Sequence, residues 1–288
     1  LHFQIVDTES AYRRLLDAPD AATREAIFCQ ALIEPFSGLV QFFGGDGLAA
    51  FAQWGMRPEQ FAGDGRSEMA VLIDALAAAH AWERTAQALE KGRGAFAAYA
   101  DRIPLEEVVF GLYVADMSGM PQAHGYTGFG GLPGWIMTVY GMADDYNLQR
   151  VEAATVHELH HNVLGAYKGP AASMVQGTLG EYVVGEGLAE SFAAALYGAD
   201  KAGPWVTEFD ESKIEGTRAI FRASLGVSGF EEMRRYIFGD PGAGLPTYAG
   251  YAIGYRLVQA YLARTGRSVV EATFVPVETL IRESGFFD

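Results

Sequence analysis

The stretch Val156-His157-Glu158-Leu159-His160-His161-Asn162-Val163 decides how the rest of the chain is read. Residues four apart on a helix lie one turn apart on the same face, so His157 and His161 can reach one point in space. Imidazole nitrogens bind zinc at about 2.0–2.1 Å, and a glutamate next to the first histidine stands aside, within reach of a water on the ion. Three histidines with no Lys or Arg, followed by the apolar Val163, do not suit an exposed helix face. His160, three residues after His157, suits a buried hydrogen-bonded role behind the ion better than a place on it.

Two histidines are too few for a catalytic zinc, which usually has three protein ligands and an open position. Cys29 is the one cysteine and is remote in sequence. The third donor is therefore a carboxylate, or one of the distant histidines His2, His80 and His124. Gly180-Glu181-Tyr182-Val183-Val184-Gly185-Glu186-Gly187-Leu188-Ala189-Glu190-Ser191 offers three glutamates. Glu186 and Glu190 share a helix face, while Glu181 stands about 140° away from Glu186. If Glu186 binds, Glu190 is placed to accept the N–H of a ligating histidine. Gly185 and Gly187 leave room for another helix beside Glu186. This geometry favours Glu186 over Glu181.

HExxH followed by a helix bearing Glu-Gly-Leu-Ala-Glu resembles the gluzincin metallopeptidases. It is more similar still to a bacterial family of predicted Zn-dependent proteases with an HExxH…EGLAE signature. The Gly-Phe-Gly-Gly-Leu-Pro-Gly run at 128–134 and the Gly-Tyr-Ala-Ile-Gly-Tyr run at 250–255 look like that family too. The resemblance is good over about residues 100–265 and loose over the N-terminal helices. It implies a small sheet whose edge strand lies along the cleft, then the zinc helix, then the glutamate helix. It also implies one Zn2+ held by His157, His161 and Glu186, with Glu158 as base and a peptide or protein as substrate. One feature departs from the thermolysin pattern. The gap from His161 to Glu186 is 25 positions, whereas the thermolysin gap would fall on Glu181. The longer gap points to an altered connection through Gly165–Gly177.

Attack on an amide creates an oxyanion that needs a donor. In a helix over 248–255, Tyr248, Tyr251 and Tyr255 share one face, and Gly250 and Gly254 make a small face for close packing. Tyr251, then Tyr255, are the candidate donors. An aromatic core stripe is the alternative. His124, beside the Gly-rich stretch, is a further candidate for the cleft.

The chain of 288 residues is 50% apolar and 20% charged, which is a globular composition. With 21 Lys+Arg against 36 Asp+Glu its formal net charge is −15, unfavourable for binding nucleic acid or an anionic membrane. Acidic residues such as Asp200, Glu208, Asp210 and Glu211 read as a solvated face. No run is apolar and long enough to span a bilayer, so no membrane insertion is expected. The chain starts at Leu1 rather than Met, which suggests a start removed by processing or by design and leaves the compartment open. Oligomeric state is not legible.

The expected fold class is α+β and mostly helical: a zincin-like core with a small sheet, an HExxH helix and a glutamate-bearing helix. It is expected as one domain, with helical residues 1–103 leading into a catalytic core over 104–288. Helices are expected at 8–16 (opened by Thr8), 20–33 (capped by Asp20), 67–89, 147–166, 175–197, 208–224, 229–237, 248–264 and 268–283. The last opens with a Ser268–Glu271 capping box. His80 falls within the third and reads as a packed or surface residue. Strands are expected at 108–115 and at 135–140, the latter offering its edge to an extended peptide. Gly125–Gly134 reads as a hairpin, since it lacks the residue order of a phosphate loop. Two readings compete with a peptidase: a zinc-containing ligand-binding or regulatory module that does not cut, and a hydrolase of a non-peptide amide or ester.

Overall fold

The computed structural model describes residues 1–120, 123–169 and 177–288. The chain is mostly helical with one small sheet, as its periodicities predict. It divides into two compact units, residues 1–93 with 105–158, and 94–104 with 159–288. The division passes through the zinc-motif helix, which runs unbroken from Val151 to Lys168.

The first unit holds the sheet. Its strands are β1 (His2–Ile5), β2 (Glu107–Val114), β3 (Tyr126–Phe129) and β4 (Trp135–Tyr140), in the order β1-β2-β4-β3. β1 and β4 run parallel to β2, and β3 closes a hairpin antiparallel to β4. β2 and β4 are buried almost end to end, as central strands covered on both faces should be. β4 is therefore an interior strand, and the expectation that Trp135–Tyr140 offers an edge is corrected. The edge beside it is β3. β1 was not expected either. Its four residues carry one buried side chain, Phe3, and their order comes from pairing with Glu107–Phe110, about a hundred positions away.

Helices α1 (Thr8–Leu16), α2 (Ala21–Phe28), α3 (Ser37–Phe42), α4 (Gly47–Ala52), α5 (Gly65–Ala78), α6 (Ala81–Ala95) and α7 (Asp145–Leu148) accompany the sheet. Asp20 caps α2 as expected, through Thr23 N. α1 is capped by Asp7 instead of Thr8, whose buried hydroxyl donates to Leu112 O. The single helix expected over 67–89 is two, because His80 turns the backbone left-handed at φ +54°. No Gly or Pro marks that break, so the apolar spacing runs through it.

The second unit is helical. α8 (Val151–Lys168) leads into it, followed by α9 (Leu179–Tyr197), α10 (Pro204–Thr207), α11 (Ile214–Ser224), α12 (Phe230–Phe238), α13 (Ala249–Thr265), α14 (Val269–Ala272) and α15 (Val277–Ser284). The Ser268–Glu271 capping box forms, but Pro276 separates α14 from α15 where one helix was expected. Most of the Gly165–Gly177 connection lies outside the described residues.

α9 and α13 pack more closely than side chains normally allow. A Cβ on Gly187 would overlap the carbonyl of Gly254, and one on Gly254 would overlap the carbonyl of Val183. The glycine beside Glu186 thus sets the distance between these helices. Among the described residues, no helix is long and apolar enough to cross a membrane. Gly254→Ala is expected to strain this crossing by about 1–3 kcal/mol and lower the calorimetric midpoint by several degrees. An unchanged midpoint would show that the helices separate without cost.

Candidate metal centre

α8 is anchored at its first turn. Arg84 of α6 grips Glu152 through Nε at 2.7 Å and Nη2 at 2.6 Å, and its Nη2 also donates to Leu148 O at 2.7 Å. Such a bidentate pair fixes orientation as well as position. Further along, Val156, Leu159 and Val163 are buried, and so are Thr155, His160 and Asn162. A helix covered on nearly every side retains polar groups only where they are answered.

His157, His161 and Glu186 are all buried, and each offers one ligand atom within 4.8 Å of the others. Among the described residues this is the group of three or more His, Cys, Asp or Glu donors that could close on one ion. His161 Nε2 stands 3.3 Å from Glu186 Oε2. Two donors each about 2.0–2.1 Å from an ion, at the tetrahedral angle, stand about 3.3 Å apart. An ion pair alone would also give that distance, but it would not bring His157 to the same place. Two imidazoles and a carboxylate form the donor set of a catalytic zinc site, so these residues fit the metal.

The competing donors lie elsewhere. Glu181 is the third residue of α9 and closes its capping box, accepting from Thr178 N at 2.8 Å. His2 is exposed on β1 and His80 is exposed at the α5–α6 break. His124 has φ +53°, stacks on Tyr146 and gives its carbonyl to Asn147 Nδ2. His160 is fully buried, with Nε2 2.9 Å from Thr273 Oγ1. That hydroxyl spends its proton on Val269 O, so it accepts from His160, which places the histidine's proton on Nε2.

Glu158 is half-buried beside the hairpin. A Cβ at Gly128 would overlap its carboxylate, and one at Gly130 would overlap its backbone carbonyl. The glycines of β3 and its turn therefore make the space that Glu158 occupies. The glycine run reads as a hairpin from its composition, and nothing in the sequence links it to position 158.

Glu190 is buried one turn after Glu186. Its carboxylate accepts from Gly203 N at 2.8 Å and from Trp205 Nε1 at 2.7 Å. The Trp205 ring lies 4.8 Å from that of Tyr251 and 5.3 Å from that of Tyr248. Tyr251 Oη is 3.5 Å from Tyr182 Oη. Burial holds the Tyr251 phenol well above the ordinary tyrosine range, and Tyr182 and the Glu186 carboxylate add to the effect. Tyr251 thus lies within electrostatic reach of Glu186. Burial also raises the Tyr255 phenol, with Glu190 contributing, and pushes Tyr248 up to about 12. Tyr182 was missed in the sequence, although its place four residues before Glu186 marks the same face. Trp205 carried no such signal.

Residues 81–282 match the model of the family described as predicted Zn-dependent protease (DUF2268). The chain belongs to this family. Its relatives include two proteins of Bacillus subtilis (strain 168). The uncharacterized protein YjfC is 41% identical over 65% of this chain and 64% of its own length. The uncharacterized protein YjaZ is 24% identical over 49% of this chain and 53% of its own length. The chain thus spans less than two thirds of either relative. No solved structure matches. The family's description names zinc, and the buried His-His-Glu triad could hold a metal ion.

Replacing Glu190 by Leu would leave the Gly203 N–H and the Trp205 indole N–H without that acceptor. We expect a loss of about 1–3 kcal/mol per buried donor, read from the urea midpoint. An unshifted midpoint would mean that other groups or water replace the carboxylate.

Proposed function

We propose that the chain is a zinc-dependent metallopeptidase that hydrolyses peptide bonds in peptide or protein substrates, with one zinc per chain. The observation that carries this reading is the convergence of three buried donors, His157, His161 and Glu186, and Glu158 follows the first of them in the chain. His157 and His161 would hold the ion from one face of α8 and Glu186 from α9. Bound zinc supplies a Lewis acid and lowers the pKa of its water towards 7.

Glu158 acts as general base. Its carboxylate accepts a proton from the attacking water and returns it to the leaving amine nitrogen. Gly128 keeps that carboxylate uncrowded. Tyr251 is the preferred oxyanion donor, because its phenol lies within electrostatic reach of the Glu186 carboxylate. Tyr255, one turn further along α13, is the second candidate. Glu190 positions Tyr251 through Trp205, and His160 braces α8 through Thr273. An extended substrate would pair with the edge strand β3.

Mass spectrometry of the purified chain should find about one zinc per chain, with weakened retention in Glu186→Gln. Glu158→Gln should keep the zinc yet lose cleavage by about a hundred- to ten-thousandfold. Absence of zinc after reconstitution would sink the metal site, and wild-type cleavage by Glu158→Gln would sink the assigned base. Tyr251→Phe should lower kcat by about a hundred- to a thousandfold; an unchanged kcat would pass the role to Tyr255.

A further inference from the structure

β3 separates two different surfaces within the first unit. Successive side chains of a strand point to opposite faces. The Cα of Gly128 faces the Glu158 carboxylate, so Phe129 faces the other way. There its ring meets Phe43 at 5.9 Å and Trp54 at 5.5 Å, and Phe43 meets Phe42 at 5.5 Å. Phe42 is 56% exposed and Phe43 40% exposed. A lone exposed phenylalanine needs no explanation, but four contiguous rings with two of them open to solvent mark a contact surface.

The strand beside this surface ends the order of the sheet. Among the described residues, β3 pairs on one side only, with β4. Gly125 O accepts from Gly141 N at 2.8 Å. By the alternation of an antiparallel pair, the N–H and C=O of Gly128 then face away from β4. An added strand would find its main-chain partners there. Residues directly opposite one another across strands put their side chains on the same face. The added residue opposite Gly128 would thus lie on the Glu158 side, and its neighbour opposite Phe129 would place its side chain on the aromatic rings.

We propose that Phe42, Phe43, Trp54 and Phe129 form the specificity surface, and that the substrates are peptides with a bulky apolar side chain, aromatic or long aliphatic, within one or two residues of the cut bond. The proposal rests on the peptidase reading above and adds the substrate class to it. Its occupant follows from continuity: the rings adjoin the strand whose Gly128 faces the proposed base, Glu158. A polar or acidic side chain at that position would lose its hydration against the rings and gain no partner.

The test uses the zinc-loaded full chain and short blocked peptides in which one Phe is moved along an otherwise Ala-Ser sequence. One Phe position beside the cut should raise kcat/KM by about tenfold or more over Ala at that position. The ratio should collapse towards one in the double variant Phe42→Ser, Phe43→Ser. Phe43→Leu, which keeps an apolar contact, should retain part of it and guards against a folding defect in the double variant. Active protein without an apolar preference, or a double variant that keeps the ratio, overturns the platform and leaves the peptidase reading standing. A second readout is calorimetric binding of the same peptides to Glu158→Gln. Selective binding that the double variant loses, with no cleavage by the wild type, would uphold the platform and overturn the peptidase reading. Neither cleavage nor selective binding overturns both.

Discussion

Burying a carboxylate against imidazole nitrogens is costly unless something answers the charge. Glu186 is 4% exposed and sits 3.3 Å from His161 Nε2, with His157 one helical turn away. Much of the second unit serves to bring Glu186 to that place. A capping box starts α9, nearly every residue from Leu179 to Ala193 is buried, and Gly187 lets α13 press against it. Deviation at any of these points would move the carboxylate, and three donors held within 4.8 Å leave little tolerance. A divalent cation is the simplest group that satisfies all three together.

The tyrosines of α13 extend the same logic. Glu190, on the face of α9 that carries Glu186, is tied to Gly203 and Trp205, and Trp205 packs on Tyr251. Helical spacing places Glu190 beside a ligand, but its carboxylate reaches the 203–205 segment and thereby steadies a phenol near Glu186. One helix face therefore carries Tyr182, Glu186 and Glu190, each engaging a different neighbour. Burial lifts the Tyr251 phenol further above the ordinary tyrosine range, which suits a hydrogen-bond donor and not a base.

The hairpin contributes by what it lacks. Gly128 and Gly130 remove side chains where Glu158 needs space, a common use of glycine within a strand. Among the described residues the same strand is the edge of the sheet, so the residue that frees the carboxylate also turns its main-chain groups away from β4. The interior position of β4 excludes it from that role, and the difference arises from the chain returning through β3 on the outer side.

The HExxH spacing, the Glu186–Glu190 pair, the Ser268–Glu271 capping box and the β-branched and aromatic run at 108–115 were all legible in the sequence. Each depends on contacts within a few residues, where helix and strand periods act directly. The break at His80 was hidden, since left-handed backbone at a non-glycine residue is imposed by surroundings and not by propensity. β1 was hidden because four residues acquire order only by pairing with a strand about a hundred positions on. The sequence by itself determined which side chains share a helix face, and so paired His157 with His161 and favoured Glu186 over Glu181 as their partner. Only the tertiary structure decided that the Gly-rich hairpin lies against Glu158, that β3 is the edge, and that Glu190 holds Trp205. Those facts depend on packing between segments far apart in the chain, which no local period encodes.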